Sequence, residues 1–538
     1  MRILTTAQMR DVDRRAMEAA GLSAMDLMAI AAGQVVRAVE AWTDSEVSGS
    51  IGVVCGPGMN GGDGLLAARA WHDAGVPVAV WLVAAPAALR EPTREVWDRA
   101  VRAGVPCRVV ETAADVTEMQ EALPACALII DALLGVGARV PVTGRIAEAV
   151  DAINTSGVSV VSVDVPTGVD VDSATVPGIA VEADMTVAIG ALKTCHVVAP
   201  ASIQCGDVVV ADLGVDDAIL DGCEGPDLRL LSREAVARWL PQRAVDAHKG
   251  AAGRVLIIAG ARGTTGAAWL CAMGALRAGA GLVTVATTSE AQPVVAALGA
   301  EYMTVVLPTG PNGGLDPSGV PTVLARATDV IIVGPGVGLA PETHAFVRAL
   351  CASADVPVVI DADALTVCAG DAGGLGATAE RVRVVTPHPG EMARLTGRTV
   401  DEVQSDRMGT ARRYAAATGA VVVLKGHRTL VVSPDGTTAV NPTGNPGMAT
   451  GGTGDVLAGM VGGLIAQLGD AARASQLAVY LHGLAGDLAA AQRSEWSLVA
   501  GDLLQALGPA FLDVARAGAR GADPVDRGAD LAGLEVVE

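Results

Sequence analysis

Aromatic side chains are nearly missing from this 538-residue chain: two Phe, three Tyr and seven Trp, 2% of the total. Apolar residues still make up 51%, so any core must be filled by Val, Ala and Leu. Lysine is also scarce. Of 38 basic residues only Lys193, Lys249 and Lys425 are lysines, against 35 arginines. Arginine replaces lysine on most surfaces but not where a compact ammonium is required, so a chain averse to lysine keeps it where geometry demands it. No apolar run is long enough to span a membrane; the nearest, Ala74–Leu89, is interrupted by Pro77 and Pro86 and reads as a buried strand with its loops. Met1–Thr6 lacks the pattern of a signal peptide. The nine cysteines are scattered, odd in number and never spaced Cys-x-x-Cys. They read as reduced core thiols of a cytoplasmic protein rather than a disulfide framework. A net charge of −21 argues against a general nucleic-acid binder. No Gly-x-x-x-x-Gly-Lys-Ser/Thr occurs, which excludes a P-loop as the phosphate device.

What is present is alternation. Residues 6–43 read as two helices broken at Gly21-Leu22-Ser23. Apolar strands are expected at Ile51–Cys55, Val78–Val83, Leu128–Asp131, Val158–Asp164, Met185–Ile189 and Asp207–Asp212, with helical patterns between. Residues 214–231, rich in Asp, Gly and Pro, read as a linker. A second series follows, with strands at Arg254–Ala259, Leu282–Ala286, Val330–Val333, Val358–Asp361, Val382–Thr386, Val421–Lys425 and Leu430–Val432, and a final helix over Ser475–Ala491. Strands alternating with helices predict α/β architecture with parallel sheets. The expected organisation is a domain over 1–220, a second over 221–517 and a tail over 518–538.

A glycine-rich stretch follows the first expected strand. Gly56-Pro57-Gly58-Met59-Asn60-Gly61 is formally a Gly-x-Gly-x-x-Gly, a weak signal alone. The ribose-binding acid expected about 20 residues later is missing from Trp81–Pro86, which argues against a standard hydride-transfer site. Carboxyl ends of parallel strands line one crevice, so Asp131 and Asp164 could meet Asn60 there; the alternative is that both acids merely cap turns. Asn60, Asp131 and Thr167 offer only oxygens, which suits a hard cation better than zinc. Lys193 could transfer or orient a proton, or be a plain surface lysine. Downstream, Lys425-Gly426-His427-Arg428-Thr429 ends a strand with cations beside backbone N–H groups, suited to a nucleotide diphosphate. Gly451-Gly452-Thr453-Gly454-Asp455 precedes an apolar helical run from Val456 to about Leu468. Its glycines can aim N–H groups at a transferring phosphate, and Asp455 can take a proton from a substrate hydroxyl. The competing account is a glycine-rich turn with Asp455 as an ordinary N-cap.

Gly452-Thr453-Gly454-Asp455 resembles the anion-hole and base motif of the ribokinase-like superfamily. With His248–Gly253 and Thr386-Pro387-His388-Pro389-Gly390-Glu391 it resembles the dehydratase domain of the bifunctional NAD(P)H-hydrate repair enzymes. Asn60-Gly61-Gly62-Asp63-Gly64 and Asp164-Val165-Pro166-Thr167-Gly168 resemble their epimerase domain. The resemblance runs over about residues 5–510. It implies a Rossmann-like front sheet and a ribokinase-like α/β sandwich behind it. The implied activities are epimerisation at C6 of hydrated NADH or NADPH, and dehydration of the S epimer with ADP, which gives AMP and phosphate. Implied catalytic residues are Asp164, Lys193 and Asp455. Implied substrate contacts are Met59, Asn60, Gly61, Gly62, Asp63, Gly135 and Asp164 in front, and Ala267, Gly338, His388 and Asp455 behind. Nucleotide contacts fall on Lys425, Gly426, His427, Arg428, Thr429, Thr453 and Gly454. Potassium is implied at Asn60, Asp131 and Thr167, and Mg2+ for the dehydration. Ala261 and Thr264 depart from the family's usual segment. Implied partners are the hydrates NADHX and NADPHX, with ADP; a homo-oligomer is expected, with no nucleic acid and no membrane. The alternative is a ribokinase-like kinase of a vitamin-precursor alcohol fused to a non-catalytic Rossmann-like binding module.

Overall fold

The computed structural model describes residues 1–43, 49–370, 375–378, 380–520 and 534–536. It divides into two compact units, Arg2–Pro226 with 528–538, and Asp227–Arg527 with Met1.

In the front unit the parallel strands run in the spatial order Asp207–Ala211, Met185–Ile189, Val160–Val163, Leu128–Ala132, Ile51–Cys55, Val78–Leu82, Cys107–Val109. The first of these in the chain, Ile51–Cys55, lies between Val78–Leu82 and Leu128–Ala132, so the winding reverses beside it. That reversal opens a crevice at the carboxyl ends of Ile51–Cys55 and Leu128–Ala132. Asn60 follows one of these strands and Asp131 lies at the end of the other. All five residues of each strand are buried, as continuous apolar runs in a sheet covered on both faces should be.

Helices Thr6–Ala20 and Ala24–Trp42 form where the periodicity predicts them. The break has a local cause. Gly21 takes the left-handed cap at φ 65°, and Ser23 and Asp26 form a reciprocal capping box that restarts the chain. Short strands not expected from the sequence pair Arg2–Leu4 with Leu192–Lys193, Leu4 opposite Lys193. This pairing carries the first helix to the Lys193 end of the crevice.

In the second unit the order is Met303–Leu307, Leu282–Thr288, Arg254–Ile258, Val330–Val333, Val358–Ile360, Arg383–Val385, Val421–Leu424, Leu430–Val432, Thr438–Val440, Leu228–Leu230. The sheet is parallel up to Val421–Leu424, which pairs antiparallel with Leu430–Val432. The winding again reverses beside the first strand of the main run, Arg254–Ile258. Helices Thr265–Arg277 and Thr453–Leu468 pack backbone to backbone: a Cβ on Gly274 would strike the Val456 carbonyl, and one on Gly459 the Cys271 carbonyl.

Several expectations need correcting. Residues 214–231 are not wholly linker: Asp217–Asp221 is helical and Leu228–Leu230 pairs with Thr438–Val440. Leu228–Leu230 escapes pattern reading because Arg229 interrupts its apolar residues. Helix Ala471–Arg493 is not the last; Ala500–Arg520 follows and runs past 517. Within the expected tail, Leu534–Val536 pairs with Val209–Ala211, while 521–533 and 537–538 lie outside the described residues. None of the nine cysteines is disulfide-bonded. Among the described residues no single helix is long and apolar enough to cross a membrane.

Candidate functional sites

Asp164 leaves strand Val160–Val163 with φ 69°, a left-handed conformation that costs a non-glycine residue energy and recurs where function over-determines the backbone. Its surroundings hold it there. Lys193 Nζ donates to Asp164 Oδ1 at 2.6 Å and to the Ile189 carbonyl at 2.6 Å. The Val136 amide donates to Oδ2 at 3.1 Å and the Ile189 amide to Oδ1 at 3.4 Å. His196 Nδ1 accepts from the Lys193 amide at 3.0 Å, so Nε2 carries the hydrogen and donates to the Asp164 carbonyl at 2.8 Å. Burial, then the neighbouring Lys193 ammonium, lowers the His196 pKa to about 4, which keeps the ring neutral. Burial alone would raise the Asp164 carboxyl, but Lys193 and the hydrogen bonds outweigh it and the net shift is downward. Lys193 is fully buried: it is no surface lysine.

A cavity of about 450 Å³ opens over this pair, lined by Met59, Asn60, Asp63, Gly135, Asp164 and Lys193, together with Asp13 and Met28. Gly61 and Gly62 lie buried in helix Met59–Asp73 and do not line it. Gly135 supplies room, since a Cβ there would press on Asp164 and Asn60. Asp131 and Thr167 sit fully buried outside the cavity wall. Asp131 Oδ1 accepts from the Leu133 amide at 3.2 Å and the Thr167 hydroxyl at 2.8 Å, and Oδ2 from Ser162 Oγ and the Thr167 amide, each at 2.9 Å. Four donors fill the lone-pair directions of one carboxylate. Asn60 is the opposite case: both amide atoms are buried without a partner, an arrangement that calls for a ligand. A monovalent cation therefore fits the free Asn60 carbonyl. Asp131, with four donors on its carboxylate and burial raising its pKa, is not an open ligand.

The second site is built on strand ends in the same way. Asp361, 1% exposed, ends Val358–Ile360. It accepts from Thr386 Oγ1 at 2.7 Å and from Lys425 Nζ at 2.9 Å. Burial works against the Lys425 charge, but Asp361 and Glu391 outweigh it and raise its pKa. Asp455 is the third residue of helix Thr453–Leu468, whose N-cap is Gly452 at φ 94°. The N-cap account of Asp455 is thus excluded. Burial, then the like charge of Asp361, raises the Asp455 carboxyl to about 7. Gly454 lies against Lys425 Nζ, which a Cβ there would meet at 3.2 Å.

All seven expected nucleotide contacts, Lys425 to Thr429 with Thr453 and Gly454, line one cavity of about 400 Å³. Its wall also holds Asn445 and His482. The His482 ring contacts the Thr453 carbonyl at 2.9 Å and is kept neutral by burial at a pKa of about 4. Arg428, at φ 53°, leaves a buried Nη1 without a partner. Gly338, Ala267, His388 and Asp455 lie outside that wall. The Gly338 amide donates to Asp363 Oδ2 at 2.9 Å. Ala267 borders Gly336, whose carbonyl accepts from Thr264 Oγ1 at 2.7 Å. His388 Nδ1 accepts from the Gly390 amide at 3.0 Å and Nε2 faces Glu391 Oε1 at 3.5 Å. Lys249 is exposed and contributes to neither cavity.

Sequence reasoning missed Asp361, Asp363, Glu391, His482 and, in front, Asp13. Asp361 was detectable: it ends an apolar strand as Asp131 does. His482 and Asp13 carry no local signal, because each lies within a helix and meets its site only through packing.

Two family models match the chain: one described as YjeF-related protein N-terminus over residues 24–195, and one described as NAD(P)H-hydrate dehydratase over 255–508. The bifunctional NAD(P)H-hydrate repair enzyme of Moorella thermoacetica is 38% identical over 510 residues, covering 94% of this chain and 96% of that protein. The Escherichia coli protein of the same name is 34% identical, covering 85% and 84%. The crystal structure of ADP/ATP-dependent NAD(P)H-hydrate dehydratase from Bacillus subtilis, co-crystallised with ATP and Mg2+, is 32% identical. It matches with a TM-score of 0.48 over 53% of this chain and 98% of that one.

Proposed function

Because the chain belongs to the family of bifunctional NAD(P)H-hydrate repair enzymes, we propose how its two sites divide that work. The front unit is the NAD(P)H-hydrate epimerase and the second the nucleotide-dependent NAD(P)H-hydrate dehydratase. Both halves match full-length bifunctional relatives, which disfavours the alternative of a vitamin-precursor kinase with a non-catalytic Rossmann-like module.

In the front cavity the ring nitrogen's lone pair assists loss of the C6 hydroxyl as water, and water returns to the other face. The ionised Asp164, fixed by Lys193, faces the ring cation this creates. Potassium would be held by the Asn60 carbonyl and would supply positive charge for the bound dinucleotide. In the second site ADP lies along Lys425–Thr429, with its terminal phosphoryl group at the Thr453 and Gly454 amides. Asp455 takes the proton of the C6 hydroxyl as that oxygen attacks phosphorus and AMP departs. Phosphate then leaves C6, assisted by the ring nitrogen, and loss of a C5 proton regenerates the reduced nicotinamide. Mg2+ would be held there by one or two carboxylates together with the substrate phosphates. We also assign the chain to the cytoplasm, as a homo-oligomer.

The observation that carries the reading of the second site is the placement of Asp455 at the third position of helix Thr453–Leu468, beside Gly454 against Lys425 Nζ, where burial raises its carboxyl to about 7. It lies beside a lysine already engaged by another acid. The direct test is incubation with chemically prepared NADPH hydrate, with and without ADP. Recovery of reduced-nicotinamide absorbance only with ADP is expected; recovery without nucleotide, or none at all, overturns the assignment.

A further inference from the structure

Epimerisation requires a proton for the departing hydroxyl, and Asp164 is badly placed to give one. Its oxygens accept from Lys193, Val136 and Ile189, and its pKa is lowered. Two other carboxyls border the same cavity: Asp63 on helix Met59–Asp73 and Asp13 on helix Thr6–Ala20. Among the described residues neither has a hydrogen-bond or ion-pair partner, although Asp131 accepts four and Asp164 three donors. Burial, with the like charges of Asp164 and Asp13 adding to it, pushes the Asp63 carboxyl up and favours its neutral form. Asp13 shares the cavity wall with Lys193, Asp164, Arg10 of its own helix and Asp63 of helix Met59–Asp73, and Lys193 and Asp164 both act on its charge. Burial raises it to about 6; Lys193 opposes the shift and Asp164 adds to it. A carboxyl poised there can both give and take a proton near neutral pH. Asp13 also lies upstream of residue 24, where the match to the family model begins. It reaches the site because Leu4 is registered against Lys193.

We propose that Asp13 is the general acid–base of the epimerisation, with Asp164 remaining an anion throughout. The Asp13 carboxyl gives its proton to the C6 hydroxyl. The C6–O bond breaks, its electron pair leaves on water, and the nitrogen lone pair closes the C=N bond. When water adds back to C6, its extra proton passes to the Asp13 carboxylate, directly or through one water. No oxidant or further co-reactant is needed. The proposal rests on the front cavity being the epimerase site.

The test uses the full chain and the R epimer of NADPH hydrate, following its conversion by chromatography against the uncatalysed background. Asp13→Asn should lower kcat by roughly 100-fold or more, the usual range for loss of a general acid, with KM changed by less than about threefold. Above the pKa of Asp13 the wild-type rate should fall with pH, and the variant should lose that limb. Asp13→Glu should restore the limb at a shifted pH. Dehydration of the S epimer with ADP should be unchanged in both variants, which reports that the chain is folded. The proposal is overturned if Asp13→Asn epimerises within about threefold of wild type, or is slower with the wild-type limb intact. If the wild-type chain itself does not interconvert the epimers, the epimerase reading falls and the proposal with it.

Discussion

The two sites use one construction, a buried lysine against an aspartate at a strand end, but assign it differently. In front, Lys193 grips Asp164 itself and drives the carboxyl down. Behind, Lys425 grips Asp361 and leaves Asp455 raised to about 7. Each site has a non-glycine residue in the left-handed region just after the strand, Asp164 at φ 69° and Ala362 at φ 48°. The lesson is that an ammonium can hold an aspartate as a permanent charge or, by engaging a different acid, leave one free to move a proton. Two of the three lysines in the chain serve this purpose, and the third, Lys249, is exposed.

The comparison is most sharply broken by Asp455→Asn. Removing the base should lower ADP-dependent dehydration by roughly two to four orders of magnitude, leave nucleotide binding nearly unchanged, and spare epimerisation. Near-normal dehydration in a steady-state assay would mean that Asp455 moves no proton. Asp164→Asn should cost epimerisation on the order of 100-fold, as loss of one fixed charge at a developing cation does, with dehydration of the S epimer intact. Loss of both activities would mean that the two sites are not independent.

Stability should separate the lysines. Lys193→Met removes the fully buried ammonium and leaves Asp164, 13% exposed, without its ion-pair partner; it should cost about 3–5 kcal/mol, read in denaturant unfolding. Lys425, with 18% of its side chain exposed, should cost less on the same substitution; an equal or larger loss would contradict the contrast. The pH dependence follows from the same groups. A base at about 7 must be ionised, so wild-type dehydration should climb with pH and level off above about 7. Because the folded pKa of Asp455 lies above its unfolded value, the native state binds the extra proton. Stability from this group is therefore present below about pH 4 and is lost as pH rises through about 7. Asp455→Asn should flatten that decline in thermal unfolding. The smallest effect belongs to Lys249→Arg, which should alter either activity by less than about twofold.

Much of this was legible without a structure. Strands Ile51–Cys55, Met185–Ile189, Val330–Val333 and Leu430–Val432 coincide with their apolar runs, because a run buried on both faces is nearly all apolar and so marks its own ends. The helix break at Gly21–Ser23 was legible because capping is local chemistry. The short strands Arg2–Leu4, Leu228–Leu230 and Thr438–Val440 were not, since Arg2, Arg229 or Thr438 breaks the apolar run in each.

The sequence by itself determined the alternation, the glycine-rich turns that follow strands, and the acids and lysines at strand ends. All of these are dictated by backbone sterics and by burial within a few residues. Only the tertiary structure decided which lysine meets which acid, and so which aspartate is a permanent anion and which a base. It also decided that Asp13 enters a cavity with residues more than a hundred positions away. Those outcomes are set by desolvation and by Coulomb terms that act over a few ångströms, and a distance of that size between remote residues exists only once the sheets have formed.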